Sequence, residues 1–246
     1  MTQELFRENA YLKDCTATVA AMGDQGIVLN RTVFYPLGGG QAGDSGVLVL
    51  PSGEELAICD TRKAKDADGR VTSGICHLPA PSQEALLSSL QPGDSVTARV
   101  DWQRRHRLMR FHTATHLLCN LVPQLVNGCS ITTDYARLDF NMTDPLDKEA
   151  LTQGIARLVA AGLPVAVSSI TDEELDANPA LVKSMSVQPP RGSGRIRTIR
   201  IGSDEHVDLQ PCGGTHVANT AEIGAVVVTR IEKKSASTRR VVLGFA

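Results

Sequence analysis

Through the first hundred residues, apolar positions come in short alternating or β-branched runs. The runs 17–21, 26–30, 46–50, 56–59, 69–75 and 95–100 each predict a strand. Turn-forming residues punctuate them: Gly23-Asp24, Pro51-Ser52-Gly53, Asp68-Gly69 and Pro92-Gly93-Asp94. Strands this short and this evenly spaced predict a small barrel or sandwich over residues 1–98. A short helix is expected at 83–90. The Pro92-Gly93-Asp94 turn, followed by a strand into Asp101-Trp102, marks the exit of this domain.

The period then changes. Over 104–126, apolar residues recur near positions 108, 111, 115, 118, 122 and 125, a helical stripe. Asp144-Pro145 predicts a second helix, with Asp at the N-cap and Pro at the first turn, running to about 161 and stopping at Gly162. Residues 164–170 read as a strand, and Thr171-Asp172-Glu173-Glu174 as a capping box opening a short helix. Strands are expected at 195–201, 223–231 and 239–243. This mixture predicts an α+β layered domain over 99–246. No internal repeat interrupts it.

Composition narrows the class. The chain has 246 residues, 42% of them hydrophobic but only 4% aromatic, so aliphatic side chains must build the core. The opening residues are charged and lack an apolar stretch of the secretory kind, and no run is long enough for a membrane span. The six cysteines follow no framework spacing, so reduced thiols and a cytoplasmic location are expected. The net charge of −2 is uneven: −5 over 1–98 and +3 over 99–246. Basic residues cluster at Arg99, Arg104, Arg105, Arg107 and Arg110, at Arg191, Arg195, Arg197 and Arg200, and at Lys233, Lys234, Arg239 and Arg240. Such clusters suit a polyanion, RNA included, whereas the overall balance argues against a non-specific nucleic-acid coat.

Two split motifs carry the chemistry. His112-Thr113-Ala114-Thr115-His116 sets two imidazoles on one helix face, and Cys212-Gly213-Gly214-Thr215-His216 adds a thiolate and a third imidazole. Each alone is weak. Together they make a nitrogen and sulfur set that suits one Zn²⁺ better than Mg²⁺ or Ca²⁺. A third segment, Phe34-Tyr35-Pro36-Leu37-Gly38-Gly39-Gly40-Gln41-Ala42-Gly43-Asp44-Ser45-Gly46, has five glycines in nine residues. It matches neither a P-loop nor a dinucleotide-binding turn.

Taken in order, these three motifs resemble the editing domain of alanyl-tRNA synthetases. Almost the whole chain resembles the freestanding AlaX editing family in its medium-length form, and Ala10-Tyr11-Leu12-Lys13-Asp14 and Asp208-Leu209-Gln210-Pro211 fit as well. The resemblance implies an N-terminal small β-barrel followed by an α+β editing domain like that of threonyl- and alanyl-tRNA synthetases. It implies no class II catalytic domain. The implied activity is trans-editing: hydrolysis of mischarged Ser-tRNA(Ala), and of Gly-tRNA(Ala) in addition, at the tRNA acceptor end. The implied zinc ligands fall on His112, His116, Cys212 and His216.

Other roles follow from residue chemistry. The Gly213 and Gly214 backbone N–H groups are candidate oxyanion donors, and Asp208 is a further catalytic candidate. Gly38, Gly39, Gly40, Gln41, Asp44 and Gln210 are candidate substrate contacts. Gln41 and Asp44 could instead hold the glycine segment, and Asp208 and Gln210 could orient the ligands. Thr32 could recognise the serine hydroxyl. Arg104, Arg105, Arg195, Lys233 and Lys234 are candidate tRNA contacts. No DNA and no membrane partner is expected. Two other readings stand beside this one: a zinc hydrolase of a small ester or amide without tRNA, and a non-catalytic, zinc-stapled RNA-binding module.

Overall fold

The computed structural model describes residues 1–189, 194–203 and 207–246; Arg191 and His206 lie outside the described residues. The chain divides into two compact units. One comprises Met1–Gly38 with Ala42–His106, the other Gly39–Gln41 with Arg107–Ala246.

The N-terminal unit contains β1 (Gln3–Glu4), α1 (Leu5–Glu8), β2 (Asp14–Gly23), β3 (Gly26–Leu29), β4 (Arg31–Thr32), β5 (Gly46–Val49), β6 (Glu55–Lys65), β7 (Val71–Pro79), α2 (Glu84–Ser88) and β8 (Ser95–Val100). Six strands pair antiparallel in the order β2-β3-β7-β6-β5-β8, and β8 returns to β2, so the ring closes. Side chains of alternate residues point to one face of a strand. Accordingly Ala17 and Val19 of β2, Ile27 and Leu29 of β3, Leu48 of β5, Leu56 and Ile58 of β6, and Val96, Ala98 and Val100 of β8 form one buried cluster. Five strands thus show in the folded chain the alternation that the sequence carries.

Past β4 the chain leaves the ladder through Val33, Phe34 and Tyr35, all buried. The neck of the glycine segment is closed twice. Asp44 N–H donates to Tyr35 O at 2.9 Å, and Tyr35 N–H donates to Asp44 Oδ2 at 2.6 Å. Arg105 is fully buried against Asp44, to which its Nε and Nη2 donate, and its fork also reaches the carbonyls of Val33 and Ala10. The N-terminal unit therefore includes the first turn of α3 (Trp102–Leu121).

The C-terminal unit contains the rest of α3, then β9 (Val126–Ile131), β10 (Ala136–Asn141), α4 (Lys148–Ala160), β11 (Val165–Ile170), α5 (Asp172–Ala177), β12 (Ile196–Ile201), β13 (Asp208–Pro211), β14 (Val226–Ser235) and β15 (Thr238–Phe245). One sheet has the order β14-β15-β10-β9 and another β11-β12-β13. No helix among the described residues is long and apolar enough to cross a membrane, and the six cysteines are unpaired.

Several expected boundaries move. The helix expected to reach residue 126 ends at Leu121, because Pro123 denies the next turn its N–H and restricts the residue before it. Of the expected helix only Val126 enters β9, and the β9–β10 hairpin falls where no element was expected. The helix expected from Asp144-Pro145 starts at Lys148, because Asp147 caps it by accepting from the N–H groups of Glu149 and Ala150. The strand expected from 223 starts at Val226, since a 3₁₀ turn over Thr220–Ile223 precedes it. The capping box at Thr171 forms as expected. From Leu108 to Cys119 every residue of α3 but Arg110 is buried, so the expected stripe is in fact a helix enclosed on nearly all sides.

His77 on β7 is fully buried in the N-terminal unit. Its Nδ1–H donates to Ile27 O at 3.0 Å, so Nε2 accepts the Thr32 hydroxyl at 2.8 Å. Burial lowers its pKa from 6.5 to about 4, against the partial support of the Ile27 carbonyl. The folded pKa lies below the unfolded one, so His77's contribution is complete above pH 6.5 and is lost as pH falls toward 4. At about 1.4 kcal/mol per pKa unit, the loss should reach about 3 kcal/mol. Denaturant melts from pH 7 to 4.5 on wild type and His77→Gln should show this slope in wild type and a flatter one in the variant.

Candidate metal centre

α3 sets His112 and His116 one helical turn apart, and the turn after β13 brings Cys212 and His216 to meet them. Their ligand atoms all lie within 4.8 Å of one another. The three imidazoles are about 95% buried. Cys212 Sγ stands 3.4 Å from His112 Nε2 and 3.3 Å from His216 Nε2. The ring centroids of His112 and His216 are 4.2 Å apart, and those of His116 and His216 are 4.6 Å apart.

Each imidazole has its Nδ1 taken by a different partner. His112 Nδ1 meets Gln41 Oε1 at 2.7 Å, His116 Nδ1 meets Asp208 Oδ2 at 2.8 Å, and His216 Nδ1 meets Thr113 Oγ1 at 3.2 Å. All three partners act as acceptors. Gln41 donates its Nε2 to Thr215 Oγ1 while its Oε1 also takes the Thr215 N–H. Asp208 is a carboxylate that also accepts from Gln210 Nε2 at 2.9 Å. Thr113 gives its own hydroxyl proton to Met109 O. The Nδ1 atoms therefore carry the protons, and three Nε2 lone pairs converge on Cys212 Sγ.

The thiol side is equally fixed. Gly214 N–H donates to Cys212 Sγ at 3.4 Å, Cys212 N–H donates to Arg197 O at 3.2 Å, and Arg197 Nη1 donates to Cys212 O. Gly214 backs onto His112 so closely that a Cβ there would stand 2.1 Å from His112 Cε1. Burial alone would raise the Cys212 thiol, but the facing His112 and His216 reverse this and hold it well below its ordinary value. For His116, burial is outweighed by Asp208 and Cys212, which raise it to about 10, so a cation taking the Nε2 lone pair of this ring must displace a proton from it. Burial and His112 hold His216 well below the usual range. A thiolate and converging imidazole lone pairs, with a carboxylate behind one ring, create a site for positive charge. The donor set fits a tetrahedral cation that accepts nitrogen and sulfur.

The other expected residues fall in separate places. Gln41, Asp208 and Gln210 belong to this cluster: Gln41 accepts from His112, Asp208 accepts from His116, and Gln210 donates to Asp208. Thr32 is fully buried in the N-terminal unit; it donates to His77 and accepts from Phe34 N–H at 3.1 Å. Gly38 O accepts the Tyr35 hydroxyl at 2.8 Å, and Gly39 and Gly40 have φ of 57° and 85°. A Cβ on Gly40 would stand 2.7 Å from Cys129 Sγ. Lys233 and Lys234 are exposed, Arg195 donates to Ser169 Oγ, and half-buried Arg104 donates to Gly43 O.

Four residues expected at the substrate or the tRNA have other surroundings. Arg105 is not a surface contact, because it is buried on Asp44; Asp44 in turn is held by Arg105 and Tyr35. The Gly214 N–H is directed at Cys212 Sγ, while Gly213 lies exposed in the turn. Thr113 was not singled out. Its place inside the His112 motif, one residue from a ligand on a buried helix, was the available signal.

A family model described as the threonyl and alanyl tRNA synthetase second additional domain matches residues 196–242. One described as tRNA synthetases class II (A) matches residues 5–104. The alanyl-tRNA editing protein AlaX-M of Methanosarcina barkeri is 34% identical over 98% of this chain and 97% of its own length. The chain belongs to the AlaX-M family of alanyl-tRNA editing proteins. The AlaX-M of Saccharolobus solfataricus is 30% identical over 98% of both chains. An alanine–tRNA ligase from Hyperthermus butylicus is 34% identical over 94% of this chain, which spans 24% of the ligase. Within this AlaX-M chain, the match at 196–242 takes in Cys212 and His216.

Two substitutions probe the centre. Asp208→Asn keeps the shape but weakens the acceptor behind His116, and outer-partner losses of this kind lower metal affinity about 10–100-fold; competition with a chromogenic chelator measures it. Gly214→Ala drives a methyl into His112. Its metal content should collapse while far-ultraviolet circular dichroism stays near wild type, and full metal occupancy would refute the proposed close contact.

Proposed function

We propose that this chain is a trans-editing deacylase that hydrolyses mischarged Ser-tRNA(Ala), and Gly-tRNA(Ala) in addition, in the cytoplasm. The observation that carries the proposal is the four-donor centre, with every imidazole pre-oriented, in a chain of the AlaX-M family. The relatives' names describe alanyl-tRNA editing. We read the closed ring of the N-terminal unit as the small β-barrel, and the C-terminal unit as the α+β editing domain.

The reaction adds water to the acyl carbon of an aminoacyl ester, breaks the ester C–O bond and returns a proton to the ribose oxygen. One Zn²⁺, held by His112, His116, Cys212 and His216, would supply Lewis acidity or fix the geometry. Four protein donors complete a tetrahedral shell, which favours the fixing role. Asp208 has its Oδ2 directed at His116 and Gln210, so it acts as a positioning residue here and not as a general base. Thr32 gives its proton to His77 and takes one from Phe34, which leaves it an acceptor for a substrate O–H that serine has and alanine lacks. A site that hydrogen-bonds a substrate hydroxyl discriminates better than a merely apolar pocket.

Deacylation of Ser-, Gly- and Ala-tRNA(Ala) by purified protein with quantified zinc tests the reading. Serine should be released and alanine spared, and chelation followed by Zn²⁺ addition should abolish and restore the activity. Zinc-replete protein that releases none of the three would sink the proposal and leave the zinc-stapled binding module.

A further inference from the structure

We infer that Arg107 and Arg110, stacked on Phe245, form a binding site for RNA backbone phosphate in the C-terminal unit. The inference rests on the tRNA reading above and narrows the first basic cluster to two arginines with a defined geometry. Arg107 and Arg110 lie one turn apart on α3. The Arg107 guanidinium sits 4.6 Å from the Phe245 ring centroid and that of Arg110 sits 4.0 Å away. Phe245 is anchored in turn on buried Phe111, at 4.1 Å between rings. Carbonyls hold both side chains by Nε: Arg107 by Thr133 O at 3.0 Å and Arg110 by Ile223 O at 2.8 Å.

Among the described residues neither guanidinium makes an ion pair, although Asp134 follows Thr133 and Glu222 precedes Ile223 in the chain. Glu222 instead accepts from the N–H groups of Ala218 and Asn219. The two like charges stand one helical turn apart against the same ring. Space is kept for one of them: Gly224 has φ of 66°, and a Cβ there would stand 2.9 Å from Arg110 Nη2. Nε contacts to carbonyls leave the Nη atoms as donors, and the Phe245 ring lies against both guanidinium groups. Two oriented, uncompensated guanidiniums match a phosphodiester, which takes parallel N–H donors. Arg107 is exposed and Arg110 half-buried, so the site opens to solvent.

The test uses the full chain with Arg107→Gln, Arg110→Gln and the double substitution. Binding of uncharged tRNA(Ala) is measured against salt, and the KM and kcat of Ser-tRNA(Ala) deacylation are measured in parallel. Each lost phosphate contact should flatten the log–log salt slope by about 0.9 and weaken binding roughly tenfold near 0.1 M salt. KM should rise in step while kcat stays within about twofold of wild type. Arg110→Lys keeps the charge and should keep the slope; a loss as large as that of Arg110→Gln would show a purely structural side chain and overturn the inference. A double variant with wild-type affinity and slope would overturn it too, with the editing activity intact. Wild-type protein that neither binds nor deacylates tRNA would overturn both the inference and the tRNA reading.

Discussion

Three imidazoles can direct Nε2 at one thiolate only if each Nδ1 proton has an acceptor, and this chain supplies those acceptors from three unconnected places. Gln41 comes from the glycine segment, Asp208 from β13 and Thr113 from the ligand helix itself. A ring without its acceptor is free to turn and to present the protonated nitrogen to the centre. The donor geometry is therefore a property of the finished fold. The helix alone places two nitrogens, but nothing local decides which nitrogen of each ring faces inward. A metal held by these four donors would be coupled to folding for this reason, since the unfolded chain has no preformed site.

The glycine segment faces the same demand from its other side. Its neck is closed by Tyr35 and Asp44, and Asp44 is neutralised by a buried guanidinium. Burying a charge pair is expensive, and such pairs are often no more stable than apolar replacements. Removing one partner alone, however, typically costs about 3–5 kcal/mol. Here Asp44 and Arg105 also satisfy Tyr35 N–H, Val33 O and Ala10 O, which no apolar pair could do. The pair thus fixes where the segment leaves and rejoins the N-terminal unit, while its tip, Gly39–Gln41, groups with the C-terminal unit.

Much of this was legible in residue order because it rests on local rules. Alternation gave the ring strands, the capping box at Thr171 gave α5, and the i, i+4 spacing of His112 and His116 gave half of the centre. What escaped was set by competition or by distance. Asp147 outcompeted Asp144 as a cap because only its carboxylate meets the free N–H groups of Glu149 and Ala150. The β9–β10 hairpin escaped because its strands pair with each other and, through β10, with β15, a partner about a hundred residues away. Thr113 was hidden because a threonine beside a histidine on a helix carries no signal until Met109 O and His216 are known to flank it.

The arginines around the start of α3 show why charge clusters in a sequence resist interpretation. Arg99, Arg104, Arg105, Arg107 and Arg110 form one basic run, yet the fold divides them by position. Arg99 lies on β8 and pairs with Glu55 at the surface. Arg105 faces inward and is consumed by Asp44, while Arg104 reaches a carbonyl in the glycine segment. Arg107 and Arg110, three apart and so on one helix face, share an aromatic ring and meet no carboxylate among the described residues. A count of positive charge would treat all five alike as an attraction for RNA. Uncompensated charge is the physically relevant quantity, because a guanidinium already paired with a carboxylate gains little from a phosphate. By that measure the run reduces to Arg104, spent on a carbonyl of the glycine segment, and one pair that shares a ring.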